Sequence, residues 1–190
     1  MRRVKLCVLM TACMLACLGG AARAGGRPNL SGSWELDGGR SSFGDYAGPL
    51  SKAKTKLEIR HKEPEVRIVW TLSRGDWGLS QLALLFSDGR GEETASLLDA
   101  EGMLAETTCM SGGGGGRQVK SKTVWEGNKL VTRTSEQLQL ASGPAEVDVL
   151  DEWELSKDKQ SLVQLTRLTP KDAAAGVAAR EFKRVYRRVK

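Results

Sequence analysis

Residues 120–168 read KSKTVWEGNKLVTRTSEQLQLASGPAEVDVLDEWELSKDKQSLVQLTRL, and this stretch decides the fold. Apolar and polar residues alternate along it with a period of two, the pattern of strands buried on one face. A strand over 120–125 runs into Glu126-Gly127-Asn128-Lys129, where Gly127-Asn128 suits a turn that needs positive φ, and a second strand follows over 130–140. Over 147–155, Val147, Val149, Asp151, Trp153 and Leu155 fall on one face, with Asp148, Leu150, Glu152 and Glu154 on the other. The turn 156–160 then leads into a strand over 161–168.

The same period extends in both directions. Over 33–37, Trp34 and Leu36 share a face; over 54–61, Leu57, Ile59 and His61 oppose Lys56, Glu58 and Arg60; over 65–72, Val66, Ile68, Trp70 and Leu72 alternate. The segment 79–86 is apolar on both faces and reads as a fully buried strand or a short helix. Strand is taken, because turn signals at 73–78 and 88–91 bound it closely. Weaker strands are expected over 92–98 and 104–109, and a final one over 180–189. The alanine-rich 172–179 reads as one helical turn or a loop. This makes nine or ten short strands with no crossover helices, which disfavours a parallel sheet. Such a meander hides its edges fully in a closed barrel and partly in a two-sheet sandwich. No internal repeat or linker divides the chain, so 25–190 forms one domain.

The first 24 residues are an address. MRRVK carries three positive charges, 6–18 is apolar, and Ala22-Arg23-Ala24 is small at both positions read by a signal peptidase. A secretory signal peptide cleaved after Ala24 implies a periplasmic or secreted protein. The rival is lipoprotein processing at Met14-Leu15-Ala16-Cys17, which attaches lipid to Cys17 and tethers the domain to a membrane. Cleavage after Ala24 removes Arg2, Arg3, Lys5 and Arg23 and leaves 25 basic against 23 acidic residues, a net charge of +2 in place of +6. That balance gives no support to a nucleic-acid partner. Cys7, Cys13 and Cys17 leave as well, so Cys109 remains alone and no intramolecular disulfide forms.

Most catalytic arrangements are excluded by composition. His61 is the only histidine, which removes most zinc sites, Cys-His pairs and Ser-His-Asp triads. Gly112–Gly116 is followed by Arg117-Gln118-Val119 and a strand, whereas a phosphate loop needs Lys-Ser/Thr and a helix. Residues 61–65, with Pro64, read as a solvated charged turn. Glu152 and Glu154 lie about 7 Å apart on one strand face, a separation that glycosidases use; an outward charged strand explains them without chemistry, and the same holds for Asp151. The basic residues of 180–190 are split between two faces, which dilutes them as a patch. No catalytic residue, metal site or cofactor is assigned. Among the tryptophans, Trp34, Trp70 and Trp153 alternate with aliphatics and read as core. Trp77 sits between strands and is the candidate for a ligand mouth.

Residues 29–44, NLSGSWELDGGRSSFG, resemble the start of a family of exported bacterial lipocalin-like proteins, with Gly32, Trp34, Ser41, Ser42, Phe43 and Gly44 at its motif positions. The blocks 124–131 (VWEGNKLV), 151–168 and 182–187 look similar too. The resemblance implies an all-β, up-and-down antiparallel barrel of the calycin type, related in architecture to lipocalins and fatty-acid-binding proteins, with Trp34 packed near the last strand. Arg184-Val185-Tyr186 resembles the Arg-x-Tyr on the closing strand of fatty-acid-binding proteins, where the pair points inward to a ligand carboxylate. Residues i and i+2 of a strand do face the same way. Two other uses of this strand are open: Val185 and Val189 inward with Arg184 in water, or Arg184 paired with an inward acid such as Asp151. The expectation is an exported, non-enzymatic barrel binding a small apolar or fatty-acid-like ligand through Arg184, Tyr186 and Trp77. The alternative is a ligand-free structural or protein-interaction domain of the cell envelope.

Overall fold

The computed structural model describes residues 26–43, 54–95, 118–140, 143–173 and 176–189, with backbone alone for Arg74, Trp77, Leu79, Ala95, Gln139 and Leu140. The leader, Cys109, the glycine run and the expected strand 104–109 lie outside the described residues.

The strands are β1 (Gly32–Leu36), β2 (Lys54–Lys62), β3 (Glu65–Arg74), β4 (Trp77–Phe86), β5 (Glu92–Ala95), β6 (Gln118–Glu126), β7 (Lys129–Leu140), β8 (Gly143–Leu155), β9 (Ser161–Pro170) and β10 (Arg180–Val189). They form one antiparallel sheet in the order β4-β3-β2-β1-β10-β9-β8-β7-β6-β5. Among the described residues each strand pairs with its sequence neighbour, except that β1 also pairs with β10 and β4 has no ladder to β5. The result is a nearly closed up-and-down barrel. Across the open seam, Phe86 N–H donates to Glu92 Oε2 at 3.4 Å and Asp88 bridges to Val124 on β6.

The period-two pattern sets which side chains turn inward. On β2, Thr55, Leu57 and Ile59 are buried while Lys54, Lys56, Glu58 and Arg60 are exposed. On β9, Leu162, Gln164, Thr166 and Leu168 form the buried series. Gly127 sits at φ 60° in the β6–β7 turn, as the Gly-Asn pair requires. The turns β2–β3, β4–β5, β6–β7 and β8–β9 gather at one end, and the last residues of β1 and β5 and the first of β2 and β6 lie at the other.

An apolar cluster fills the tight-turn end: Leu30, Trp34, Leu57, Ile59, Val66, Ile68, Leu85, Leu130, Trp153, Leu162 and Tyr186. Leu138, Val147, Val149, Leu168 and Val177 pack near the opposite end. The Gly32-Ser33-Trp34 segment acquires its meaning from β10. Trp34 is opposite Arg188 in the ladder, and the Arg188 guanidinium lies over the indole. A Cβ on residue 32 would stand 2.5 Å from Arg188 Nη1, so only glycine leaves room.

Some expectations are corrected. The segment 79–86 is a strand, yet Leu82 is 54% exposed, because β4 is a sheet edge with an outer face to solvent. Trp70 is half-buried, at the margin of the main cluster, where its ring meets that of Trp153 at 6.2 Å. Strand β8 starts at Gly143, earlier than the alternation from Val147 shows, because its partner β7 runs on to Leu140 and extends the ladder. The 172–179 segment contributes buried Val177 to the second apolar cluster.

Candidate ligand-binding site

Between the two apolar clusters, inward positions of successive strands are polar. On β8, Asp151 lies between Val149 and Trp153; on β9, Gln164 and Thr166 lie between Leu162 and Leu168; on β7, Thr132 and Thr134 follow Leu130; on β6, Ser121 and Thr123 precede Trp125. Ladder register aligns them, since Asp151 is opposite both Thr132 and Thr166, and Thr132 is opposite Thr123. The barrel therefore has a polar belt between apolar ends.

Arg184 and Tyr186 belong to this belt. Tyr186 is fully buried and opposite Leu36 and Leu162, while Arg184 is half-buried and opposite Gln164. The register with Arg184 in water is thus excluded. Arg184 Nη1 donates to Gln164 Oε1 at 2.8 Å and the Tyr186 O–H donates to the same oxygen at 3.3 Å. The Gln164 amide faces the other way to Asp151, with Nε2 at 3.0 and 3.1 Å from its two oxygens. Thr166 Oγ1 (2.7 Å) and Trp153 Nε1 (2.8 Å) also donate to that carboxylate. Asp151 is 6% exposed, and burial raises its carboxyl above the ordinary value against the pull of these donors and of Arg184. Burial likewise pushes the Tyr186 phenol up to about 12, so it stays a donor at neutral pH.

The belt continues to the seam. Glu92 on β5 accepts from Ser121 Oγ at 3.2 Å and from Thr123 Oγ1, which is 2.8 Å from Thr132 Oγ1. Thr55, buried on the apolar wall, has a hydroxyl with no partner among the described residues. A buried hydroxyl left unpaired costs free energy until a ligand or water meets it.

The segment 61–65 is more than a solvated turn. The His61 side chain is 3% exposed, stacks on Trp125 at 5.8 Å, and its Nδ1 accepts the Leu30 N–H at 3.2 Å. Glu63 collects Arg27 Nη1 (3.1 Å), His61 Nε2 (3.1 Å), Trp125 Nε1 (2.6 Å) and Ser87 Oγ. This clasp ties the segment before β1 and the turns after β2 and β4 to the end of β6. Sequence reasoning missed it because its members are far apart in the chain. Glu152, by contrast, faces outward as expected and pairs with Arg167 (2.7 Å) and Lys129 (3.3 Å), while Asp151 points to the opposite side.

Trp77 opens β4 opposite Arg74, at the end away from the β2–β3 turn; its side chain lies outside the described residues. Gln164, the group that joins Arg184, Tyr186 and Asp151, was not singled out from sequence. Its signal was present: two polar residues, Gln164 and Thr166, stand in the apolar phase of β9.

The class that this architecture defines is the up-and-down antiparallel barrel, ten strands in one nearly closed sheet. Among solved structures the chain is similar to a protein described as the REP1-NXSQ fatty acid transporter, at 16% identity and a TM-score of 0.47, over 85% of this chain and 96% of that one. It is also similar to a fatty-acid-binding protein from the brain tissue of Drosophila melanogaster, at 17% identity and a TM-score of 0.45, over 84% of this chain and 99% of that one. No family model and no curated protein matches the chain.

Proposed function

We propose that this is an exported, non-enzymatic bacterial barrel protein that holds one small amphipathic ligand, with a carboxylate head on Arg184 and Tyr186 and an apolar tail along β1–β4. The leader at 1–24 supports a periplasmic or secreted location, with Gly25 as the first residue after cleavage. Trp77 is assigned to the rim of the entrance by its place at the start of β4. One observation carries the reading: inside the barrel, the guanidinium of Arg184 and the phenol of Tyr186 reach a single acceptor oxygen. Gln164 Oε1 occupies the position that a carboxylate oxygen takes when the ligand binds and the amide swings aside. A guanidinium and a phenol donating to a carboxylate make charge-assisted hydrogen bonds, the stronger class.

The tail supplies most of the affinity at about 0.8 kcal/mol per buried methylene, and each charged hydrogen bond adds about 1.5–3 kcal/mol. The test is titration of a long-chain acid and its matched alcohol into the unaltered protein and Arg184→Ala. A loss of roughly tenfold or more for the acid alone is expected. Equal losses for both compounds, or no binding of either to the unaltered protein, overturn the head-group role.

A second reading, a ligand-free structural or interaction domain, is favoured by the same Gln164 oxygen, which already satisfies both donors. Native mass spectrometry of the purified protein separates the two, since only a binding protein carries a small molecule out of the cell.

A further inference from the structure

Two carboxyls buried in the barrel, those of Asp151 and Glu136, take no part in holding the ligand, and Asp151 is the one beside the head-group site. Asp151 is separated from Arg184 by a single amide, that of Gln164, and Arg184 is the cation acting on it. Other ionisable groups face the same interior. On β10, the Tyr186 phenol touches the far side of Gln164. On β7 the residue opposite is uncharged Thr132, and Glu136 lies further along that face, opposite Val147, with interactions of its own. Glu92 on β5 is reached only through Thr123 and Thr132. The partners on β9, Gln164 and Thr166, do not titrate.

Arg184 and Asp151 thus form a locally balanced pair in the polar belt. A carboxylate docked on Arg184 takes over its positive charge and leaves a second anion buried nearby. Two buried anions sharing one cation are costly, and the cheapest relief is for one of them to become neutral. The ligand keeps the direct contact with the guanidinium, so the proton goes to the inner carboxyl.

Resting on the ligand assignment above, we infer that Asp151 is the proton partner of the bound head group: docking of a carboxylate on Arg184 and Tyr186 is accompanied by uptake of a proton at Asp151, and affinity therefore rises as the pH falls. The process balances: the carboxylate enters as an anion, one proton from solvent joins an Asp151 oxygen, and no bond of the ligand changes. Burial already favours the neutral form of this carboxyl, so the added charge works in the same direction. The linkage has a definite sign and window. Between the values at which Asp151 ionises in the free and the bound protein, affinity increases up to about tenfold per unit fall in pH. Below the free-state value Asp151 is protonated in both states, and this dependence disappears.

The experiment is calorimetric titration of dodecanoate, ionised throughout, into the mature protein between about pH 6 and 9 in phosphate and in Tris, whose different ionisation heats report protons taken up. Up to one proton per bound dodecanoate is expected, with none in Asp151→Asn and no pH dependence of its affinity. Binding without uptake at any of these pH values, or uptake that persists in Asp151→Asn, overturns this inference and leaves the ligand assignment standing. Failure of dodecanoate to bind the unaltered protein overturns the assignment, and this inference with it. Should Asp151→Asn not fold, the 13C carboxyl resonance of Asp151 in the unaltered protein decides. Its titration moves to higher pH on addition of dodecanoate if the inference holds, and an unmoved titration overturns it.

Discussion

The guanidinium of Arg188 lies 4.2 Å from the centroid of the Trp34 ring, and it fits there because residue 32 has no side chain. Arg188 also donates from Nε to Lys159 O (2.9 Å) and from Nη1 to Ser31 O (3.2 Å), so one side chain joins the first strand, the last strand and the β8–β9 turn. Gly32 holds φ +145°, which side chains rarely adopt.

Replacing Gly32 by Ala therefore strains the backbone and displaces Arg188 together. We expect Gly32→Ala to destabilise the barrel by about 1–3 kcal/mol in urea unfolding. In an Arg188→Ala background the same substitution should cost less, because the clash is gone and the strain alone remains. Equal costs in both backgrounds would mean that Arg188 does not hold this position in solution.

Trp153 and Trp70 should separate in their effects. Trp153 is fully buried, and its indole N–H meets Asp151. Trp153→Ala should cost about 3–5 kcal/mol. Trp70→Ala, at a half-buried site, should cost clearly less, and the urea midpoints of the two variants rank them directly.

Asp151 gives stability a pH dependence of unusual sign for a carboxylate. Its carboxyl ionises at higher pH in the folded chain than the ordinary 3.8. Above the unfolded value the folded state holds the extra proton, so this contribution declines as the pH rises from about 4 through the raised folded value. Urea unfolding of the unaltered protein and Asp151→Asn across this range should show a difference that changes with pH in that direction. Parallel curves would assign Asp151 an unshifted carboxyl.

Glu63 behaves oppositely. Burial pushes its carboxyl up, but hydrogen bonds from Ser87, Trp125 and His61 outweigh that and hold it below 4.5. Its contribution is present above the unfolded value and is lost as the pH falls through the folded one. Glu63→Gln should cost about 1 kcal/mol at neutral pH, modest because solvent screens a partly exposed group. It should also speed amide exchange at Leu30, whose N–H depends on His61 held by Glu63.

Most strands were legible because a half-buried strand writes itself as alternation, and β10 falls on the very residues the pattern marks, 180–189. Trp34 and Trp153 were readable as core for the same reason. Trp70 was not, since alternation reveals a face and says nothing about how near the strand position lies to the barrel's margin. Spacing put Arg184 and Tyr186 on one face and left open which face it was; the burial of Tyr186 and the ladder to Gln164 make it the inner one. Gln164 stands in the apolar phase of β9, which marks it as inward, but its partners come from β8 and β10, and only ladder register brings them together. The Glu63 clasp depends on contacts as distant as Trp125, beyond the reach of any local pattern.

The pairing of β1 with β10 has a consequence for how the chain folds. Every other ladder joins neighbours along the chain, so the meander can grow hairpin by hairpin, whereas this one closes a loop of nearly the whole domain. Loop closure over such a span is entropically the slowest contact to gain and the least rewarded until the rest is in place. Among the described residues the β4–β5 seam carries no ladder. A circular permutant that connects β10 directly to β1 and opens the chain at 88–91 turns the long-range ladder into a local one while cutting where no ladder is lost. Its relative contact order is lower, and it should refold faster than the natural arrangement.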